Sequence, residues 1–123
     1  NEMRDYYNSL DLYLCASKSE GTPMTMLEAA ACGVPALTTD VGMVPELIEE
    51  GVNGVVVERT VEAFAEKLEY FVKNRELLKE MGRAARERME REFSWERLVD
   101  RWTEFFYMAL ELRELERKGH IRG

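Results

Sequence analysis

Residues 19–35 read SEGTPMTMLEAAACGVP. An apolar, strand-like run leads into Glu20-Gly21-Thr22-Pro23, and a helical pattern follows until Gly33 ends it and Val34-Pro35 opens the next strand. Pro23 fits the first helical turn, which needs no N–H. The amides near Met24 and Thr25 then have no acceptor within the helix and face any anion placed before it. Ala29-Ala30-Ala31-Cys32-Gly33 is a run of small residues that lets a helix approach a sheet closely. Helical spacing puts Glu28 on the face of Thr25 and Cys32, and it assigns packing to Met24, Leu27 and Ala31. A glutamate before a helix and another inside it are ordinary residues for a cap and a solvated face. Together with the helix start, they also suit a phosphorylated sugar or a nucleotide.

Outward from this stretch, a strand–helix alternation emerges. Residues 2–9 look helical. In residues 10–15, Leu10, Leu12 and Leu14 alternate with Asp11, Tyr13 and Cys15, as in a strand. A helix over residues 23–32, a strand over 35–39, a short helix over 44–50 and a strand over 54–58 complete the first half. Short strands separated by helices argue for parallel crossovers, hence an α/β fold. The second half is helical. Thr60 is a plausible cap for a helix with an apolar stripe of Val61, Phe64, Leu68, Phe71 and Val72. Asn74 is the expected cap of a helix reaching about Arg91. Ser94 is that of a third helix, whose stripe of Trp95, Leu98, Val99, Trp102, Phe105, Phe106 and Ala109 reads as core.

The 123 residues carry a net charge of −7, and its distribution is uneven. Residues 1–59 hold 10 acidic and 3 basic side chains, whereas residues 60–123 hold 14 of each. A chain with this balance is not expected to bind nucleic acid. In the acidic half only Arg4, Lys18 and Arg59 could meet a phosphate, so the helix N-terminus is the main local anion site. Cys15 and Cys32 read as buried apolar positions in a reducing, cytoplasmic setting rather than as a bridge. The one histidine, His120, stands in a Lys-Gly-His tail, and no metal-ligand spacing is present.

The motifs and their order resemble the retaining glycosyltransferases of the two-lobed GT-B architecture, family 4. The resemblance rests on Glu20 and Glu28 as the pair separated by seven residues and on Ala31-Cys32-Gly33-Val34-Pro35. It continues through Asp40-Val41-Gly42, Val44-Pro45-Glu46, Gly51-Val52-Asn53-Gly54 and Phe93-Ser94-Trp95-Glu96, covering residues 3 to about 110. It implies a partial Rossmann-like, three-layer α/β lobe of parallel strands over residues 1–92, then a crossing helix and tail over 93–123. It also implies a C-terminal part of a longer enzyme, whose missing N-terminal lobe would cover some of the aromatic stripe and carry the catalytic histidine and the phosphate-binding cations.

By the same resemblance, a nucleoside diphosphate sugar is the donor, and a carbohydrate or lipid-linked acceptor receives the sugar with retention. No metal or other cofactor is implied. Glu28 is similar to the glutamate that accepts from the ribose hydroxyls, since a carboxylate offers two acceptor atoms to a vicinal diol. Glu20 is similar to the one near the transferred sugar and is the candidate catalytic residue. Gly21, Thr22, Met24 and Thr25 would line the sugar and distal phosphate. Peripheral membrane contact, if any, falls to the other lobe. Two departures, Thr22-Pro23 for the more frequent Phe-Gly and Met43 for a second glycine, bear on which donor fits. Two other readings are a non-catalytic nucleotide-sugar-binding or interaction module and a GT-B-like sugar epimerase or phosphorylase. A phosphorylase would bring a pyridoxal-phosphate lysine that has no counterpart here.

Overall fold

A computed structural model of the chain describes residues 2–119; the tail with His120 lies outside the described residues. The elements run in the order α1 (Glu2–Asn8), β1 (Tyr13–Cys15), α2 (Met24–Ala31), β2 (Ala36–Thr38), α3 (Val44–Leu47), β3 (Gly54–Val56), α4 (Val61–Lys73), α5 (Arg75–Glu92) and α6 (Trp95–Arg117). They form two compact units, Asn1–Glu90 and Arg91–Gly123.

In the first unit the strands pair in parallel in the order β1-β2-β3. Tyr13, Leu14 and Cys15 face Ala36, Leu37 and Thr38, which in turn face Gly54, Val55 and Val56. Parallel strands need helical crossovers, and the crossovers cover both sheet faces. On one face Tyr7, Ala29 and Val34 pack with Leu10, Tyr13 and Cys32. On the other, Leu37, Val55, Phe71, Leu78 and Met81 form a core flanked by Leu12, Phe64 and Leu68. β2, the central strand, is buried at all three of its residues. Gly82 brings α5 close to the turn after α2, because a side chain there would overlap the Gly33 carbonyl.

Several expectations are corrected here. α2 buries Met26 and Ala29, with Leu27 and Ala30 half-buried, while Met24 and Ala31 are exposed. The packed face is therefore turned from the one assigned to Met24, Leu27 and Ala31. An alanine-rich helix gives little contrast between faces, and its neighbours on the sheet select one. In β1, Cys15 is buried and Leu14 is 48 % exposed, the reverse of the expected alternation, because β1 is an edge strand and the helices cover its Leu14 side less completely than that of the central strand. The stripe of α4 is buried only in its middle, at Phe71 with Phe64 and Leu68, and Val61 and Val72 at its ends are exposed. Pro23 stands just before α2 as its cap residue, without a capping side chain.

Thr60 caps α4 by accepting from the Ala63 amide, and Ser94 caps α6 by accepting from Arg97. Asn74 serves the preceding helix instead, since its side-chain amide donates to the Tyr70 carbonyl near the end of α4. In the second unit no residue of α6 is buried, so its stripe is not a core in this structure. Trp102, Phe105 and Phe106 meet one another at 5.8–5.9 Å between ring centroids. Among the described residues, no helix is long and apolar enough to cross a membrane.

Candidate functional site

The loops that leave the carboxyl ends of β1 and β2 form one connected surface. This is the edge of an open parallel sheet at which ligands bind in α/β folds. Its centre is the segment from Ser17 to Thr25. The Thr39 hydroxyl donates to the Ser17 carbonyl at 2.7 Å and ties the two strand ends together. The Ser17 hydroxyl then donates to Glu20 Oε1 at 2.7 Å, which fixes the first carboxylate from within its own loop. The Arg59 Nε donates to the Ala16 carbonyl at 3.0 Å, bringing the chain after β3 to the same edge.

The β2–α3 loop clasps this segment. Gly42 has φ of +53°, a conformation that favours glycine, and a side chain at this position would overlap the carbonyl oxygens of Gly21 and Glu20. Next to it, the Met43 amide donates to the Gly21 carbonyl at 3.0 Å. The Thr22 hydroxyl lies 3.1 Å from Met43 Sδ. The two departures from the resembled pattern, Thr22 and Met43, therefore touch and form one contact.

In α2 the Met26 and Leu27 amides donate back to the Pro23 carbonyl. Met24 and Thr25 precede them, so their amides lead out of the helix end, where the dipole favours negative charge. Thr25 is exposed, and its hydroxyl shares a 2.7 Å hydrogen bond with the Tyr13 hydroxyl. One turn further, Glu28 is exposed on the same face, and its Oε2 accepts from the Tyr7 hydroxyl at 2.7 Å. Tyr7 is 3 % exposed. The hydrogen bond to Glu28, burial and the charge of that carboxylate together push its phenol up to about 12. Tyr7 therefore remains a proton donor throughout the physiological range.

The structure thus places Glu20, Gly21, Thr22, Met24, Thr25 and Glu28 along one loop-to-helix path at the carboxyl edge. Lys18 is exposed and makes none of the hydrogen bonds or ion pairs found among the described residues. No group of three His, Cys, Asp or Glu side chains among those residues could hold a metal ion. Sequence reasoning missed Tyr7 and Ser17, which orient the two carboxylates. Ser17 could have been found as a hydroxyl three residues before Glu20 in a loop. For Tyr7 the only signal was its spacing of three from Leu10 at the end of a short helix, which separates it from the exposed Tyr6.

This open parallel α/β lobe, with its polar residues gathered at the carboxyl edge of the sheet, has the fold of solved glycosyltransferases, a lobe of the GT-B kind. The chain belongs to the family Glycosyl transferases group 1, which it matches over residues 1–88. It is 36 % identical over 101 residues to the N-acetyl-alpha-D-glucosaminyl L-malate synthase of Bacillus anthracis, covering 81 % of this chain and 26 % of that protein. A solved glycosyltransferase from Rickettsia africae ESF-5 superposes with a TM-score of 0.78 at 26 % identity, over 86 % of this chain and 29 % of that one. The Anabaena protein HepE in complex with UDP shares the fold with a TM-score of 0.78 at 20 % identity, over 84 % of this chain and 29 % of its own. The chain thus spans about a quarter of the length of the curated relatives it matches.

Proposed function

We propose that this chain is the donor-binding part of a retaining glycosyltransferase. The reaction moves a glycosyl group from a nucleoside diphosphate sugar to an acceptor hydroxyl. The bond from the anomeric carbon to the phosphate oxygen breaks, and a bond from that carbon to the acceptor oxygen forms. The acceptor gives up its proton, and the diphosphate leaves with the bonding electron pair. In this reading Glu28 accepts from the ribose hydroxyls, the Met24 and Thr25 amides meet the distal phosphate, and Glu20 with Gly21 and Thr22 contacts the sugar. No metal or other cofactor takes part in the reaction as proposed. The single observation that carries the reading is the pair of carboxylates, each held at 2.7 Å by a hydroxyl, beside an open helix N-terminus at the carboxyl edge of the sheet. Family membership and the UDP bound to the fold relative support it.

The test is a thermal-shift screen of the full-length protein carrying this chain against UDP, GDP, ADP and their sugar conjugates. A ligand that binds the native state raises the apparent Tm by mass action. One nucleotide series is expected to stabilise the protein, and Glu28→Ala is expected to weaken its binding by about 1.5–3 kcal/mol, the range for a hydrogen bond to a charged group. Unchanged affinity in that variant refutes the ribose assignment. No shift with any nucleotide refutes the donor site itself.

A further inference from the structure

We propose that Tyr7 is a positioning residue for Glu28, holding one oxygen of its carboxylate so that the other is presented to the vicinal diol of the donor's ribose. The proposal rests on the donor-site reading above and extends it to a residue outside the motif.

Glu28 is an exposed helical glutamate. Left alone, such a side chain samples many rotamers, and a ligand must fix it at an entropic cost. Tyr7 removes much of that freedom from a different element. Its ring is clamped between α1 and α2 against Ala29 and Val34 and lies edge-on to Tyr6, with ring centroids 5.5 Å apart. A ring so packed has little motion to pass on, and its hydroxyl reaches across 21 positions of sequence to Glu28 Oε2. Among the described residues Oε1 accepts from no group, so it stays open to a ligand hydroxyl. The phenol keeps its proton, and the hydrogen bond therefore always points toward the carboxylate.

A buried tyrosine hydroxyl also needs a partner for structural reasons alone, so the test must separate positioning from packing. Affinities of the full-length protein are measured for the ribonucleoside diphosphate that binds best among UDP, GDP and ADP, and for its 2′,3′-dideoxy counterpart. The ratio of the two isolates the diol contact. Tyr7→Phe retains the ring and removes only the hydroxyl. It is expected to lower the preference for the ribose form by about fivefold, the worth of one net hydrogen bond, with affinity for the dideoxy form unchanged. Adding Tyr7→Phe to Glu28→Ala should lower the preference no further, since the two act through one contact.

Equal loss for both ligands, or no change in the ratio, overturns the proposal. If Glu28→Ala abolishes the preference while Tyr7→Phe keeps it, the ribose reading stands and the role of Tyr7 falls. If Glu28→Ala also retains the preference, or no diphosphate binds, the ribose reading itself falls and the proposal with it. Should Tyr7→Phe weaken folding, the double variant measured against Glu28→Ala still decides, because any further loss of preference contradicts action through Glu28.

Discussion

A methyl group at position 42 would run into the carbonyl oxygens of two residues that carry the candidate site. Gly42 and Gly51 both have positive φ, +53° and +75°, but only Gly42 has backbone against its α-carbon; around Gly51 there is open space. The contrast isolates the close approach from the conformation. Gly51→Ala is expected to cost about 1–2 kcal/mol for the left-handed backbone alone. Gly42→Ala adds overpacking and should cost about 3 kcal/mol or more. It should also push the Glu20-Gly21 loop off the Met43 amide, so that nucleotide affinity falls in Gly42→Ala and not in Gly51→Ala. Chemical denaturation and a nucleotide titration of both variants measure the two effects. Equal stability losses would show that the clasp yields without strain. At this scale the sequence was informative about which residues belong to the site, because Glu20 and Glu28 stand in a local motif. It was silent about what orients Glu28, because Tyr7 lies 21 positions away and a hydroxyl leaves no periodic trace.

Between α3 and β3 a single side chain does the work of a cap. Asn53 is 4 % exposed; its Oδ1 accepts from the Glu49 amide at 2.7 Å and its Nδ2 donates to the Leu47 carbonyl at 2.9 Å. It thereby satisfies the chain where α3 stops and Ile48 turns extended. Arg88 of α5 donates to the Glu46 carbonyl at 2.9 Å and adds a tie from outside the loop. Asn53→Ala leaves one donor and one acceptor of the backbone without their partner, at about 1–3 kcal/mol each. The total loss is expected at about 2–6 kcal/mol, measured by urea denaturation. A loss below about 0.5 kcal/mol would mean that water or Arg88 replaces the amide. Element order and type were legible because strands, helices and the Thr60 and Ser94 caps are written in local patterns. Faces were not. Met24 and Met26 are equivalent by propensity, and only packing on the sheet buried the second. Asn74 could close one helix or open the next, and the competition was resolved by the Tyr70 carbonyl.

For the molecule as a whole, charge sets the strongest constraint on what it can do alone. A departing nucleoside diphosphate carries several negative charges, yet residues 1–59 hold 10 acidic side chains against 3 basic ones. Of those three cations, Arg59 already spends its Nε on the Ala16 carbonyl. The N-terminus of α2 contributes only about 0.3–1 kcal/mol at an exposed site, too little to hold a diphosphate beside Glu20 and Glu28. Beyond residue 59, Lys73, Arg75, Lys79, Arg86, Arg88 and Arg91 of α4 and α5 are engaged in ion pairs, so under the proposed donor reading the cations that neutralise the leaving group are expected to come from outside these 123 residues, in keeping with the quarter of its relatives' length that the chain spans. Once circular dichroism has established that the 123-residue chain is folded, it should bind nucleoside diphosphate sugars only weakly and transfer nothing, whereas the full-length protein should bind the donor tightly and transfer the sugar. Calorimetric titration with the donor, and a product assay run with and without acceptor, compare the two. Turnover by the 123-residue chain would overturn this division of labour and place the phosphate contacts on the helix N-terminus and Lys18. Equal weak binding by both proteins would instead remove the donor site from this segment.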